Sequence, residues 1–122
     1  MGYRSDVAAL FYAADKKDMP VIKLWLDENF PMDTFKENIR WFDRGMVFYD
    51  DAVKWYDDYE EVKAFDGAVS KFIEMFCNDL SVGVVKGAYE FMRVGEEYND
   101  IESDCCGDYD NLLDLKREII LP

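Results

Sequence analysis

The sequence contains no histidine, so the side chain that most often moves protons at neutral pH, and the commonest transition-metal ligand, are both missing. That excludes Ser-His-Asp and Cys-His catalysis and every zinc site built on histidine. Cysteine is scarce and odd in number: Cys77 stands alone, while Cys105 and Cys106 are adjacent. Such a set is not the disulfide framework of a small secreted domain and fits a reducing cytoplasm. Adjacent thiols close only a strained ring, and three cysteines without histidine leave a tetrahedral zinc shell incomplete, so inert or modestly reactive thiols are expected. Long apolar runs are also lacking. Val21-Ile22 and Leu24-Trp25-Leu26 are separated by Lys23, far short of the roughly 18 consecutive apolar residues of a membrane span, so no membrane partner is expected. A signal peptide is not expected either, and the Met1-Gly2 start has Asp6 where a myristoylation pattern wants Ser or Thr. Positive charge is the last deficit. Fourteen Lys and Arg face 27 Asp and Glu, a net charge of −13, which excludes a nucleic-acid binder working through a basic patch.

What is present is enough for one folded domain spanning residues 1–122. The chain has 122 residues, half of them apolar and 16% aromatic, a composition that builds a core and argues against general disorder.

The stretch from Val7 to Ala14 is continuously apolar and reads as a buried strand. After Asp15-Lys16-Lys17-Asp18, Asp18 is placed to cap a helix and Pro20 suits its first turn. Val21, Ile22, Trp25, Leu26 and Asn29 then form a stripe that ends before Pro31. A two-residue beat follows. It predicts strands at Ile39–Phe42, Met46–Tyr49 and Val53–Tyr56, with turns at Asp43-Arg44-Gly45 and Asp50-Asp51. Asp58 and Glu61 have capping-box spacing before the stripe Val62, Phe65, Val69, Phe72, Ile73, Phe76, which predicts a second helix. Alternation returns from Val84 to Val94, with Tyr89, Phe91 and Arg93 on one face and Ala88, Glu90, Met92 and Val94 on the other. A final strand is expected within Leu112–Leu121. The order predicts an α+β fold of ferredoxin-like type: an antiparallel sheet of four to five strands with two helices on one face.

The excess charge is concentrated. Residues 50–66 carry seven acids (Asp50, Asp51, Asp57, Asp58, Glu60, Glu61, Asp66) against two lysines, and residues 96–114, expected to be loop and turn, carry eight acids and no base. The rest of the chain is neutral. Three readings follow. Acidic loops keep an aromatic-rich domain soluble. A row of carboxylates also imitates the phosphates of a nucleic acid, which lie about 1.7 Å apart along a duplex axis, and so suits a basic partner. Finally, Glu102, Asp104, Asp108 and Asp110 offer hard oxygen ligands, although their spacing fits no EF-hand and no metal is assigned. Trp55, Tyr56 and Tyr59 suit either an interface or the rim of the core. Paired carboxylates are the one route left to an enzyme, and among 27 acids such pairs arise by chance, so a non-enzyme is expected.

Three segments carry a resemblance: Gly2-Tyr3-Arg4-Ser5-Asp6-Val7, then Val53-Lys54-Trp55-Tyr56-Asp57-Asp58-Tyr59-Glu60-Glu61-Val62, then Tyr89 through Glu102 with Tyr89-Glu90-Phe91-Met92-Arg93-Val94-Gly95-Glu96-Glu97-Tyr98-Asn99-Asp100. Together they resemble a family of small uncharacterised acidic proteins of tailed bacteriophages. The resemblance implies a bacterial host cytoplasm and a gene product acting on the host, and by analogy an anti-CRISPR or anti-restriction inhibitor without a cofactor. The partner expected is a basic host protein or nucleic-acid-binding complex, with no direct contact to nucleic acid. The candidate partner-binding residues are Asp50, Asp51, Trp55, Tyr56, Asp57, Asp58, Tyr59, Glu60, Glu61, Glu96, Glu97, Tyr98, Asp100, Glu102 and Asp104. The alternatives are a self-associating module, as a homodimer whose acids serve solubility, and a protein that sequesters a small molecule.

Overall fold

A strand that is apolar at every position, rather than at every second one, must be covered on both faces, and β1 (Ser5–Ala13) is such a strand. In the computed structural model, which describes residues 3–77, 85–97, 99–115 and 119–122, β1 is the middle of a five-stranded antiparallel sheet of order β2-β3-β1-β4-β5. The remaining elements are α1 (Met19–Asn29), α2 (Met32–Phe35), β2 (Ile39–Phe42), β3 (Gly45–Val53), α3 (Glu60–Phe76), β4 (Gly87–Gly95), β5 (Ile101–Gly107) and a small separate hairpin of β6 (Asp114–Leu115) and β7 (Ile119–Ile120). The predicted α+β fold is correct. Strands β4-β1-β3-β2 have the order of a ferredoxin-like sheet, and β5 extends it beyond β4.

Alternate residues of β1 belong to two cores. Val7, Ala9, Phe11 and Ala13 face α1 and α3, where Ile22, Leu26, Phe65, Phe72 and Phe76 meet them, so both long helices cover one face as expected. Ala8, Leu10 and Tyr12 face the other way, towards Val47, Ala88 and Leu113. The C-terminal segment therefore serves as a lid on the helix-free face.

Four local expectations change. Asp18 occupies the position before α1 without making a side-chain cap bond, and Asp15 instead accepts from the Lys17 N–H at 3.1 Å in the preceding turn. The capping box of Asp58 and Glu61 does not form, because α3 begins one residue later than that box requires, with Tyr59 rather than Asp58 at the cap position; Glu60 and Glu61 lie in its first turn, where the helix dipole favours them. Asp50 and Asp51 are not a turn, since β3 runs through them along the full length of β1. Ser5 pairs Val53 while Val7 pairs Asp50, so three residues of β3 span two of β1, a β-bulge. The strand ends at Val53, and Lys54-Trp55-Tyr56 leads out of the sheet.

The largest change concerns the second acidic stretch, whose middle is the edge strand β5 rather than a loop. It pairs with β4 from Val94 opposite Ile101 to Ala88 opposite Gly107. Gly107 ends it with φ at 78°, a left-handed conformation that favours glycine. The expected final strand is reduced to β6 and β7, apart from the main sheet; Val84 lies outside the described residues.

Candidate functional site

Partners in an antiparallel ladder point to the same face, so the β4 and β5 register decides where the acids go. Glu102 lies opposite Arg93, Asp104 opposite Phe91 and Cys106 opposite Tyr89. Tyr89 and Phe91 face the helices, hence Glu102 and Asp104 do as well. Across from them α3 presents Asp66, Val69, Ser70 and Ile73, and the space between is an open cleft of about 580 Å³. Tyr3, Ser5, Trp55, Tyr56, Asp57 and Asp100 close one end. Val69 and Ile73, part of the predicted helical stripe, are only half-buried because the cleft opens beside them.

The two acidic stretches thus meet. Asp57 and Asp66 from the first, and Asp100, Glu102 and Asp104 from the second, line one cleft whose sole lining base among the described residues is Arg93. That arginine is already held. Asp100 takes it in a two-pronged contact, Nη2 to Oδ1 at 2.8 Å and Nη1 to Oδ2 at 3.1 Å, while Nε donates to Glu102 at 3.0 Å and Nη1 to Ser5 Oγ at 3.0 Å. The Tyr3 hydroxyl donates to Asp100 at 2.6 Å. The Arg93 hydrogen bond, then that of Tyr3, draws the Asp100 carboxyl down to about 2, and chiefly through Asp100 the guanidinium rises above its ordinary value. Gly95 makes room for this arrangement, since a Cβ there would collide with the Asp100 carboxylate and the Tyr3 hydroxyl.

Asp66 has no such cation beside it among the described residues. Burial, reinforced by Asp57 and Glu102, raises the Asp66 carboxyl above the ordinary range. Tyr89 is pushed up by burial and then by Asp104, Asp66 and Glu102, so its phenol stays protonated. Carboxylates, phenols and aromatic rings around a space short of positive charge form a setting for a cationic group.

Of the candidate residues, Trp55, Tyr56, Asp57, Asp100, Glu102 and Asp104 line this cleft. Trp55 also packs at the core rim, its ring 5.1 Å from that of Phe65. Asp58, Tyr59, Glu60 and Glu61 flank the entrance to α3 without lining the space, with the Tyr59 ring 5.2 Å from Tyr56. Asp50 and Asp51 lie in β3, away from the lining. Glu96 accepts from the Arg4 N–H at 2.9 Å, and the Glu97 N–H donates to the Tyr3 hydroxyl at 3.0 Å, so both serve the loop after β4. Tyr98 lies outside the described residues. Tyr3, Asp66, Tyr89 and Arg93 belong to the cleft and were not among the candidates. The signal for Arg93 was a base on the Tyr89-Phe91 face of its strand, just ahead of the second acidic stretch.

The hard-ligand set does not converge. Glu102 and Asp104 face α3, whereas Asp110 pairs with Arg44 at 2.7 Å on the opposite side of the sheet. Among the described residues no group of three His, Cys, Asp or Glu is arranged to hold a metal ion. Among them, too, no helix is long and apolar enough to cross a membrane.

The adjacent cysteines separate across β5. Cys105 lies opposite Glu90 and is exposed, while Cys106 lies opposite Tyr89 and is within hydrogen-bonding reach of Cys77. Burial, then Cys106, pushes the Cys77 thiol up to about 12, which leaves almost no thiolate at neutral pH. Alkylation of the native protein with iodoacetamide, followed by peptide mass spectrometry, is expected to label Cys105 first and Cys77 only after denaturation. Equal rates at the two would show that Cys77 is not shielded.

No protein-family model matches this chain, and neither a curated protein nor a solved structure matches it.

Proposed function

We propose that the chain is a phage accessory protein that binds and inhibits a nucleic-acid-handling defence complex in the host cytoplasm, of the anti-CRISPR or anti-restriction kind, by occupancy rather than catalysis. What supports this reading is the meeting of Asp57 and Asp66 with Asp100, Glu102 and Asp104 around one cleft. Solubility alone asks for dispersed charge, whereas these acids are gathered beside aromatic rings and exposed to a partner. A basic surface that normally grips phosphates meets a comparable density of oxygen anions here, and long-range attraction steers the encounter. The partner is a basic protein surface, and nucleic acid itself is repelled.

The test is phage plating on bacteria that carry a defined CRISPR or restriction system. Expression of the protein is expected to raise plating of a targeted phage. The variant Asp57→Lys, Asp58→Lys, Asp104→Lys, verified as folded by circular dichroism, is expected to lose the effect, with association slowed roughly 10-fold or more. Full protection by that variant, or no protection against any system tried, overturns the reading.

A further inference from the structure

Tyr89 is 3% exposed, yet its hydroxyl has no hydrogen-bond partner among the described residues. Among those residues no fully enclosed side-chain nitrogen or oxygen lacks a partner, so this hydroxyl reaches the open space of the cleft rather than lying sealed beneath it. A buried phenol with an unused oxygen is costly unless something in the cleft, water or ligand, engages it. Around it stand Asp66 and Asp104, neither of which is paired with a cation among the described residues; the Asp104 carboxylate accepts a hydrogen bond from the adjacent Cys105 N–H at 2.9 Å. The resident Arg93 shows which cation this wall accommodates, since the Asp100 and Glu102 carboxylates and the Ser5 hydroxyl already grip its planar guanidinium.

We propose that the cleft receives a second guanidinium, an arginine side chain of the partner, which pairs with Asp66 and Asp104 and donates to the Tyr89 hydroxyl. This deepens the reading of the cleft as the binding surface and rests on it. Arginine suits the lining better than lysine. Its planar fork serves two carboxylates and a phenol oxygen at once, its flat face stacks on aromatic rings, and it gives up hydration more readily than an ammonium. The space of about 580 Å³ admits the whole side chain.

The probe is the tripeptide acetyl-Gly-Arg-Gly-amide, titrated into the full chain and followed by amide chemical shifts. Its citrulline counterpart has the same shape without the charge, and a lysine counterpart has the charge without the fork. The arginine peptide is expected to shift the amides of β4, β5 and α3, the citrulline peptide to leave them unmoved, and the lysine peptide to bind more weakly. Tyr89→Phe is expected to weaken arginine binding about two- to tenfold, as loss of one hydrogen bond does. Asp66→Asn and Asp104→Asn are each expected to weaken it at least as much. Equal binding of lysine and arginine would overturn the assignment in favour of a nonspecific cation sink. Absence of arginine binding, or binding untouched by all three substitutions, would overturn it as well. In either case continued loss of plating protection in the charge-reversed variant would leave the acidic-face reading standing, so the two ideas fail separately.

Discussion

Replacing Glu90 with alanine is expected to destabilise the fold by about 3 kcal/mol, a loss typical of breaking a buried charged network. Glu90 is 4% exposed in the middle of β4, on the face opposite the helices. Its carboxylate accepts from the Tyr12 hydroxyl, from the Leu112 N–H at 3.0 Å and from the Leu113 N–H at 3.1 Å. The Tyr12 oxygen in turn accepts from the Asp110 N–H at 2.7 Å. Arg44 secures the same stretch from outside. It lies 4.9 Å above the Tyr12 ring, pairs with Asp110, and donates to the Ala13 and Ala14 carbonyls at 3.0 Å. One carboxylate thus fastens the C-terminal segment over Leu10, Tyr12 and Val47. Alanine would leave a phenol and two backbone donors without their acceptor. Part of that cost is relieved if the segment swings into water, which is why the expected loss falls below the sum of three orphaned groups. Glu90→Gln keeps an acceptor and is expected to lose less, about 1–2 kcal/mol. Guanidinium unfolding measures both, and hydrogen exchange at Leu112 and Leu113 shows whether the segment lifts. A loss below about 1 kcal/mol for alanine, within the range of ordinary surface changes, would mean that the segment is held by its apolar contacts alone.

Such a clamp is invisible to periodicity, and it shows where reading the sequence stops. The unbroken run from Val7 to Ala14 announced a buried strand, which ends at Ala13, the stripe from Val62 to Phe76 announced α3, and the division of β4 into two faces was correct down to Arg93 and Glu90. These elements carry an apolar beat because a core enforces it. By contrast β5 has Ile101, Ser103 and Cys105 on one face and Glu102, Asp104 and Cys106 on the other, with little apolar on either. An edge strand needs no such beat, and its charge guards against pairing with another chain. Its acids were therefore counted correctly and assigned the wrong shape. The bulge at Asp50-Asp51 was lost for a related reason, because two acids read as a turn unless the length of the neighbouring strand is known. The cleft needed tertiary information throughout: Asp66 joins Glu102 only because α3 crosses β4 and β5, and nothing local in the chain states that crossing.

The second large effect is expected at Phe65, where alanine should cost about 3–5 kcal/mol, the range for emptying an aromatic site in a packed core. Phe65 is fully buried on the inner face of α3. Its ring centre lies 5.1 Å from Phe48, 5.1 Å from Trp55, 5.7 Å from Phe30, 5.9 Å from Phe35, 6.0 Å from Phe11 and 6.4 Å from Phe91. It therefore joins β1, β3, β4, the chain leaving α1, the short α2, and the Trp55 corner. Six rings cannot all move inward to fill the space left by one, so the cavity persists and its cost with it. Phe65→Leu retains most of the volume and is expected to cost less than half as much. Denaturant unfolding gives both values, and a loss below about 2 kcal/mol for alanine would show that the cluster collapses freely, at the low end of what core truncations allow. The consequence extends to the cleft. Trp55 and Phe91 line it and rest directly on Phe65, so truncation removes the support beneath two of its walls while leaving every carboxylate in place. In the folded fraction of Phe65→Leu, near-ultraviolet circular dichroism of Trp55 is expected to change although the charge does not. Weaker arginine-peptide binding alongside that change would show that the cleft works through the positioning of its aromatic walls as well as through its charge.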